Sequence, residues 1–380
     1  MHGSTAIALA AALVLAPPDG APGADGSPPE KVSVYVLAGQ SNMEGHGQLR
    51  SLPHLGDAYA DHLALLRDDD GGWRERDDVT IAWKGHGPDG RGHGPLGVGW
   101  GANESEIGPE LLFGALVGER TDAPVLLIKT AWGGKDVFCD FRSPSAGEPK
   151  GDAAKLLARE RERGEPREVG RSYRQMIDEV RDTLAHIDSI VPGYEGQGYE
   201  LAGFVWFQGW NDYCRWHEGM GVIDDYADGL AAMIRDLRKD LDAPNLPVAI
   251  GELGVGGRTF EERLAKNSDD GEARAMVAFR RAQRDVAESR RLEGVTFVPT
   301  ADFWDARLDE LRDRAERYGD EKQRKGEHDD KDLPTQELSD EYRSLGGHWY
   351  CHYNGSAEHY SLVGAACADA LVPAKRSTKR

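Results

Sequence analysis

Short, continuously apolar segments alternate with segments of helical periodicity along most of the chain, and this alternation limits the possible folds most strongly. Uninterrupted apolar runs of four to six residues are typical of parallel strands that are covered on both faces. The sequence therefore predicts an α/β fold with a central five-stranded parallel sheet and right-handed crossovers. The predicted strands are residues 32–37, 124–128, 204–207, 247–250 and 295–298.

The predicted helices lie between these strands. In the second of them, Tyr173, Ile177, Val180, Leu184 and Ile187 recur at the spacing that places side chains on one helical face. Such a face covers one side of the sheet. The predicted helices are residues 109–119, about 173–187, 224–241, about 272–289 and about 358–371.

The composition excludes several classes of protein. The 380 residues are 39% hydrophobic, which is enough for a folded core, and their formal net charge is −20. A strongly acidic chain is unsuited to tracking nucleic-acid phosphates or docking on anionic lipid. Beyond the N-terminal segment no apolar run reaches the roughly 18 to 20 residues of a membrane span.

The N-terminal segment has the pattern of an export signal. Residues 6–16 form an apolar block, and residues 17–29 are rich in Pro, Gly and Ala. This pattern predicts a signal peptide and linker over residues 1–29, and hence a secreted or periplasmic protein; a disordered tail is the alternative. No cysteine follows the apolar block, so a lipid anchor is not indicated.

One catalytic domain is predicted over residues 30–374. Two stretches, near 143–170 and 305–343, are strongly charged and are interpreted as solvated insertions. Residues 375–380 are predicted to be a disordered tail.

The four cysteines leave two interpretations open. They form no C-x-x-C pair and match no zinc-site spacing. An exported protein could oxidise them, with three possible pairings, but the low count for this length favours structural free thiols over any disulfide. The residues concerned are Cys139, Cys214, Cys351 and Cys367.

Polar side chains and paired glycines follow three of the predicted strands, and a histidine precedes the last helix. Ser41 lies in a Gly-bounded turn, Gly133 and Gly134 follow the second strand, and Asn211 follows the third. Each alone has an ordinary explanation as a helix cap or turn residue. Together with His352, they supply the nucleophile, base and oxyanion donors of an acyl-transfer site.

At these positions the chain resembles the SGNH hydrolase superfamily, and within it the sialate O-acetylesterase and acetylxylan esterase branch. The motifs are GQSNM at 39–43, Trp-Gly-Gly at 132–134, Gln-Gly-x-x-Asp at 208–212 and His-x-Asn-Gly at 352–355. The resemblance implies a flavodoxin-like three-layer sandwich and ester hydrolysis with no cofactor or metal. It implies Ser41 as nucleophile, His352 as general base, and Ser41, Gly133, Gly134 and Asn211 as candidates for the oxyanion hole.

Two departures from the family pattern leave the acid that orients His352 open. The superfamily often has Asp three residues before the histidine, where this chain has Trp349, and the branch often has Glu where it has Trp210. Asp212 is the predicted third catalytic residue. A backbone carbonyl or a simple Ser–His dyad are the alternatives.

Aromatic residues near these loops predict a carbohydrate substrate, because sugar rings stack on indole faces. Gln40, Gln208, Trp210 and Trp349 are the candidate substrate-binding residues. Three further histidines resemble metal ligands only superficially, since no carboxylate–His spacing supports a site; they are His217, His348 and His359. An imidazole base with the ordinary pKa of about 6.5 would give a pH–rate profile that rises near that value.

The sequence thus favours a secreted carbohydrate O-acetylesterase that acts on an acetylated carbohydrate, with no nucleic-acid partner. Two alternatives stay open: an esterase of the same superfamily acting on a non-carbohydrate ester, and a glycan-binding protein that has lost catalysis.

Overall fold

The computed structural model describes residues 30–55, 59–288, 292–314 and 333–374. Seven of the strands in these residues form one sheet, and the other two form a small antiparallel pair. In chain order the strands are β1 (Val32–Gly39), β2 (Gly47–Gln48), β3 (Arg76–Ala82), β4 (His93–Leu96), β5 (Glu106–Ile107), β6 (Val125–Ala131), β7 (Tyr199–Phe207), β8 (Val248–Gly251) and β9 (Val295–Val298).

The five predicted strands form the middle and one edge of the large sheet. They are β1, β6, β7, β8 and β9, all parallel, in the spatial order β6-β1-β7-β8-β9. Numbered along the chain, this is the order 2-1-3-4-5 of flavodoxin-like folds. The sheet has the topology that the resemblance implies.

The predicted number of strands was wrong, because the sheet has seven. Strand β3 pairs in parallel with β6, and β4 closes that edge as an antiparallel strand. Strand β3 begins with charged residues and only its last four residues are continuously buried, while β4 contains Gly and Pro. Strand β4 has no apolar run, and the charged start of β3 obscures the short run at residues 79–82, which has the same length as the predicted strand at 295–298.

Helices connect the strands as the alternation predicts, with boundaries within a few residues of those expected. In chain order they are α1 (Ser41–Glu44), α2 (Ala60–Leu65), α3 (Glu110–Arg120), α4 (Gly151–Glu162), α5 (Arg171–Ala185), α6 (Ile187–Ile190), α7 (Trp210–Tyr213), α8 (Gly221–Asp240), α9 (Thr259–Lys266), α10 (Gly271–Glu288), α11 (306–314), α12 (Leu333–Leu345) and α13 (Ala357–Leu371).

Helices cover both faces of the sheet and produce three layers. On one face, Tyr35 of β1 packs against Phe113 of α3, with ring centroids 5.4 Å apart, and α13 packs beside α3. On the other, Trp206 of β7 donates to the Tyr226 hydroxyl of α8 at 3.2 Å. Tyr35 pairs with Gly203, three positions before Trp206, so the two aromatic side chains point to opposite faces.

Both predicted insertions carry helices in the described residues. Helix α4 packs Ala153 and Leu156 into a small separate core with Phe138, Cys139 and Val222. Helix α11 buries Leu308 and Leu311, and residues 315–332 lie outside the described part. The predicted signal segment, linker and C-terminal tail, residues 1–29 and 375–380, also lie outside it.

All four cysteines are free thiols in the structure. None of the helices in the described ranges is long and apolar enough to cross a membrane.

Candidate active site

The three central strands end side by side. Gly39 at the end of β1 pairs with Ala131 of β6 on one side and with Phe207 of β7 on the other. The loops that begin at Gln40, Trp132 and Gln208 therefore leave the sheet at one place. This is the edge at which open α/β sheets bind ligands.

Close packing at this edge requires a glycine before the serine. A Cβ atom on Gly39 would lie 2.2 Å from the carbonyl oxygen of Phe207, so no larger residue fits. The chain turns there and enters α1, whose first residue is Ser41. The serine is thereby held at the end of the central strand, almost entirely buried.

Ser41 and His352 form a hydrogen-bonded pair although they lie 311 residues apart in sequence. The distance from the Ser41 Oγ to the His352 Nε2 is 3.0 Å. His352 belongs to the irregular segment Tyr350–Gly355, in which Tyr353 and Asn354 both have a φ of 54°. Two consecutive non-glycine residues in the left-handed region indicate a backbone held in place by its surroundings.

The second nitrogen of His352 points to another histidine. The His352 Nδ1 lies 3.1 Å from the Nδ1 of His348. The ring of His46 stacks on the His352 ring with centroids 4.0 Å apart and planes 10° apart, and Trp349 also stacks on it, at 5.7 Å. Burial, followed by the nearby His46 and His348, lowers the pKa of His352 to about 3. The imidazole is therefore neutral at ordinary pH.

A buried carboxylate, Glu106, connects the surrounding histidines. Its Oε2 lies 3.0 Å from the His46 Nδ1, and its Oε1 accepts from the Gln48 Nε2 at 2.7 Å and lies 3.8 Å from the His348 Nε2. Burial alone would raise the pKa of Glu106, but the His46 hydrogen bond and the other neighbours lower it overall. Glu106 is thus an anion beside the imidazoles.

The sequence alone indicates no catalytic role for these neighbours of His352. Gln48 and Glu106 are brought together by the antiparallel pairing of β2 with β5, two strands of two residues each. His46 immediately precedes β2. Strands this short give no periodic signal, so only the position of His46 five residues after Ser41 could have indicated the cluster.

Asp212 is not part of the cluster around His352. Its side chain is fully buried and accepts from the backbone N–H groups of Val137 at 3.0 Å and Phe138 at 3.2 Å, and from the Gln208 Nε2 at 2.5 Å. Burial raises the pKa of Asp212 well above its ordinary value. In the part of the chain that the structure describes, no hydrogen bond joins Asp212 to His352. The structure therefore does not bring these two predicted catalytic residues together.

The two glutamines predicted to bind substrate are also buried. The Gln40 Oε1 accepts from the Asn211 N–H at 3.2 Å and from the Gln208 Nε2 at 3.4 Å. The Gln208 Nε2 also donates to the carbonyl oxygen of Lys135 at 3.1 Å. These bonds tie the loops after β1, β6 and β7 to one another.

The predicted oxyanion residues lie in those three loops. A Cβ atom on Gly133 would lie 3.1 Å from the Glu44 Oε2, which places Gly133 beside the end of α1. Gly134 has a φ of 76°, in the region that favours glycine, and faces open space. Asn211 lies on α7 and is fixed through its backbone by Gln40.

The two predicted tryptophans differ in exposure. Trp349 is 72% exposed and stacks on His352, so its free face is open to solvent beside the imidazole. Trp210 is half-buried and packs against Tyr213 and Tyr350. Of the predicted substrate-binding residues, Trp349 is the one that presents a surface next to the Ser41–His352 pair.

Among the described residues, the candidate for a metal site is the cluster of His46, His348 and His352. Its ligand nitrogens lie within 4.8 Å of one another. A metal ion binds in the plane of an imidazole, along the nitrogen lone pair. The parallel, stacked rings of His46 and His352 cannot both point at one ion in their planes. His46 would have to rotate away from Glu106 before all three could bind. His217 and His359 are not part of this cluster.

Comparison with known proteins gives one family match. The family model described as carbohydrate esterase, sialic acid-specific acetylesterase, matches residues 31–289, more than half of the chain. Ser41, Gly133, Gly134 and Asn211 lie inside the matched range, and His352 lies beyond it. No curated protein matches the chain significantly.

Several solved structures are similar to the chain at low identity. A protein from Arabidopsis thaliana, AT4G34215, is 17% identical with a TM-score of 0.40, over 71% of this chain and 86% of that one. XAC1771, a carbohydrate acetylesterase from Xanthomonas citri, is 17% identical with a TM-score of 0.41, over 72% of this chain and 51% of that one. NanS is 16% identical with a TM-score of 0.42, over 72% and 78%. The chain spans about half of XAC1771.

Proposed function

The chain belongs to the carbohydrate esterase family described as sialic acid-specific acetylesterases, and we propose that it removes O-acetyl groups from carbohydrates through an acetyl-enzyme at Ser41. As a member of this family it is a carboxylic ester hydrolase. The observation that carries the mechanism is the 3.0 Å contact between the Ser41 Oγ and the His352 Nε2. A serine hydroxyl becomes an effective nucleophile when a neutral imidazole accepts its proton at this distance.

In the first half of the reaction, the Ser41 Oγ attacks the acetyl carbonyl carbon while the His352 Nε2 takes the hydroxyl proton. The tetrahedral intermediate then expels the sugar oxygen, which receives that proton from His352. In the second half, His352 takes a proton from water, the hydroxide attacks the acetyl-serine, and acetate leaves as Ser41 regains the proton.

The developing negative charge on the carbonyl oxygen needs fixed donors. We assign these to the backbone N–H of Ser41, the N–H of Gly133 or Gly134, and the side-chain amide of Asn211. The buried hydrogen bonds of Gln40 and Gln208 support this assignment because they fix the positions of the three donor loops relative to one another. Gln40 and Gln208 then act as positioning residues.

One feature supports a carbohydrate as the alcohol part of the ester. The free face of Trp349 beside His352 offers a stacking surface for the C–H face of a sugar ring.

We further propose that the protein is exported. The apolar block at residues 6–16 and the following linker support this, since they have the composition of a cleaved signal segment.

The test is acetate release from a panel of substrates: acetylated xylo-oligosaccharides, O-acetylated sialic acid and phenyl acetate. Wild-type protein should release acetate from at least one acetylated carbohydrate with a higher kcat/KM than from phenyl acetate. Ser41→Ala should release none above background, and Trp349→Ala should raise KM for the carbohydrate by up to about tenfold.

Hydrolysis of phenyl acetate alone would contradict the carbohydrate assignment and favour an esterase of another substrate class. Binding of acetylated glycans without any acetate release would favour a glycan-binding protein that has lost catalysis.

A further inference from the structure

The short distance between His348 and His352 requires a proton between them. Their Nδ1 atoms lie 3.1 Å apart, within hydrogen-bond distance. A neutral imidazole has one N–H and one lone pair, and two lone pairs facing each other at this distance would repel. One of the two histidines must therefore donate to the other, and the direction of that bond decides whether His352 can act as a base.

If His348 donated, the single proton of neutral His352 would lie on Nε2, and Ser41 would face an N–H rather than a lone pair. If His352 donates from Nδ1, its Nε2 lone pair faces the Ser41 hydroxyl. Only the second arrangement can accept the serine proton.

Glu106 selects the second arrangement. Its carboxylate Oε1 lies 3.8 Å from the Nε2 of His348, on the side of that ring away from His352. A carboxylate accepts hydrogen bonds and attracts the N–H dipole, so it favours the proton of His348 on Nε2. That leaves a lone pair on the His348 Nδ1, which then accepts from His352.

Neighbouring groups hold this arrangement in place. Glu106 is fixed by Gln48 at 2.7 Å and by His46 at 3.0 Å, so its charge stays near His348. Burial lowers the pKa of His348, as do His46 and the nearby Arg50, whereas Glu106 raises it. The net lowering keeps His348 neutral, with one lone pair available for His352.

We propose that Glu106, acting through His348, sets the tautomer and orientation of His352 and takes the place of the carboxylate that is absent at position 349. The inference rests on the proposed function of the Ser41–His352 pair. Glu106 and His348 are both positioning residues. During turnover His352 gains the Ser41 proton on Nε2 and keeps its own on Nδ1. No proton moves to His348 or Glu106, whose charge stabilises the imidazolium through one intervening ring.

The first experiment uses three variants and phenyl acetate. His348→Ala should lower kcat about 10²-fold with KM nearly unchanged, because it removes an orienting partner and not a substrate contact. His348→Asn should retain most of the activity, since its Oδ1 can accept from the His352 Nδ1 as the imidazole did. His217→Ala, which removes a mostly exposed histidine, is the control and should equal wild type.

A double-mutant comparison separates the carboxylate's role from simple packing. Glu106→Gln keeps a side chain of the same shape and should lower kcat about tenfold in the wild-type background. In the His348→Asn background the same change should have a smaller effect, because an amide acceptor has no tautomer for Glu106 to select and only the attraction of its charge for the imidazolium is lost. An equal loss in both backgrounds would overturn the relay and leave Glu106 a structural residue.

A spectroscopic measurement on the unmodified protein tests the same point without activity. The ¹⁵N shifts of labelled ring nitrogens should assign the proton of His352 to Nδ1 and that of His348 to Nε2. The reverse assignment for either ring, or a bound metal ion removed by chelator together with activity, would overturn the inference. An active wild type with an unaffected His348→Ala overturns this inference alone, whereas an inactive wild type overturns the proposed function as well.

Discussion

The loop after β7 and the segment before α13 both carry polar residues to the same edge of the sheet, but they are built in opposite ways. In the first, Asp212 and Gln208 are almost wholly inaccessible to solvent, and their hydrogen bonds end on other protein groups. In the second, His352 has one nitrogen on Ser41, and the adjacent Trp349 is largely exposed. We therefore propose that the first loop is a scaffold and that the second presents the reactive groups.

The difference follows from the hydrogen-bond partners of each side chain. A buried carboxylate that accepts two backbone N–H groups supplies partners to donors that would otherwise be unsatisfied, and this fixes the shape of a loop. An imidazole with one nitrogen directed at a hydroxyl is held for proton transfer. Under our proposal, the carboxylate close in sequence to the active-site motif, Asp212, is structural, and the functional one, Glu106, comes from a distant segment.

The largest expected effect is the loss of either member of the reactive pair. Ser41→Ala and His352→Ala should each lower kcat by more than about 10³-fold, because neither group can act without the other. The double variant should be no worse than the single ones. Steady-state kinetics on phenyl acetate, with unfolding temperatures as a check of the fold, measures this. Retention of more than about a tenth of wild-type activity by either variant would remove that residue from the reaction.

The scaffold loop should respond in stability more than in chemistry. Asp212→Ala leaves the N–H groups of Val137 and Phe138 without their acceptor and removes one of the acceptors of the Gln208 amide, so it should lower the free energy of unfolding by about 3 kcal/mol or more. Asp212→Asn keeps one acceptor oxygen and should be milder. Urea unfolding of both variants provides the measurement.

The same variant tests the alternative role of Asp212. With Asp212→Asn folded, kcat should stay within about tenfold of wild type, because Asp212 makes no hydrogen bond to His352 in the described structure. A loss of several orders of magnitude at unchanged stability would instead identify Asp212 as the orienting acid.

Asn211 lies at the boundary between scaffold and site, and its effect should be intermediate. Asn211→Ala should lower kcat about 10²-fold, the size expected for one oxyanion donor, with little change in KM. Its backbone bond to Gln40 is kept, so the unfolding temperature should be nearly unchanged. A loss confined to KM would assign Asn211 to ground-state binding of the sugar.

The smallest effect concerns pH. Burial lowers the pKa of His352 to about 3, so the base is already deprotonated well below 6.5. We expect kcat/KM to vary by no more than about twofold between pH 8 and pH 5, rather than to rise near 6.5 as an exposed histidine would require. A half-maximal rate near pH 6.5 would contradict the lowered pKa of His352.

The same shift has a consequence for stability. A histidine whose pKa is lower in the folded than in the unfolded chain stabilises the fold fully above pH 6.5, and this contribution is lost as the pH falls toward 3. Burial lowers the pKa of His359 to about 3 as well. Unfolding temperatures measured from pH 7 to pH 3 should therefore fall as the pH falls.

The sequence predicts the central strands and the loops that leave them, because uninterrupted apolar runs of four to six residues are typical of buried parallel strands. It does not predict β3, whose first residues are charged, or the pairing of Gln48 with Glu106, which depends on two-residue strands. It also cannot distinguish Asp212 from Glu106, because burial and the direction of a side chain depend on contacts between segments far apart in the sequence. A local motif therefore locates Ser41 but not the residues behind His352.

The most direct test of the central claim is to label the nucleophile. Wild-type protein treated with a serine-directed fluorophosphonate and digested should carry the phosphonyl group on the peptide that contains Ser41, as measured by mass spectrometry. Ser41→Ala should not be labelled, and His352→Ala should be labelled much more slowly. Equal labelling of wild type and Ser41→Ala, or modification of a different serine, would contradict the account.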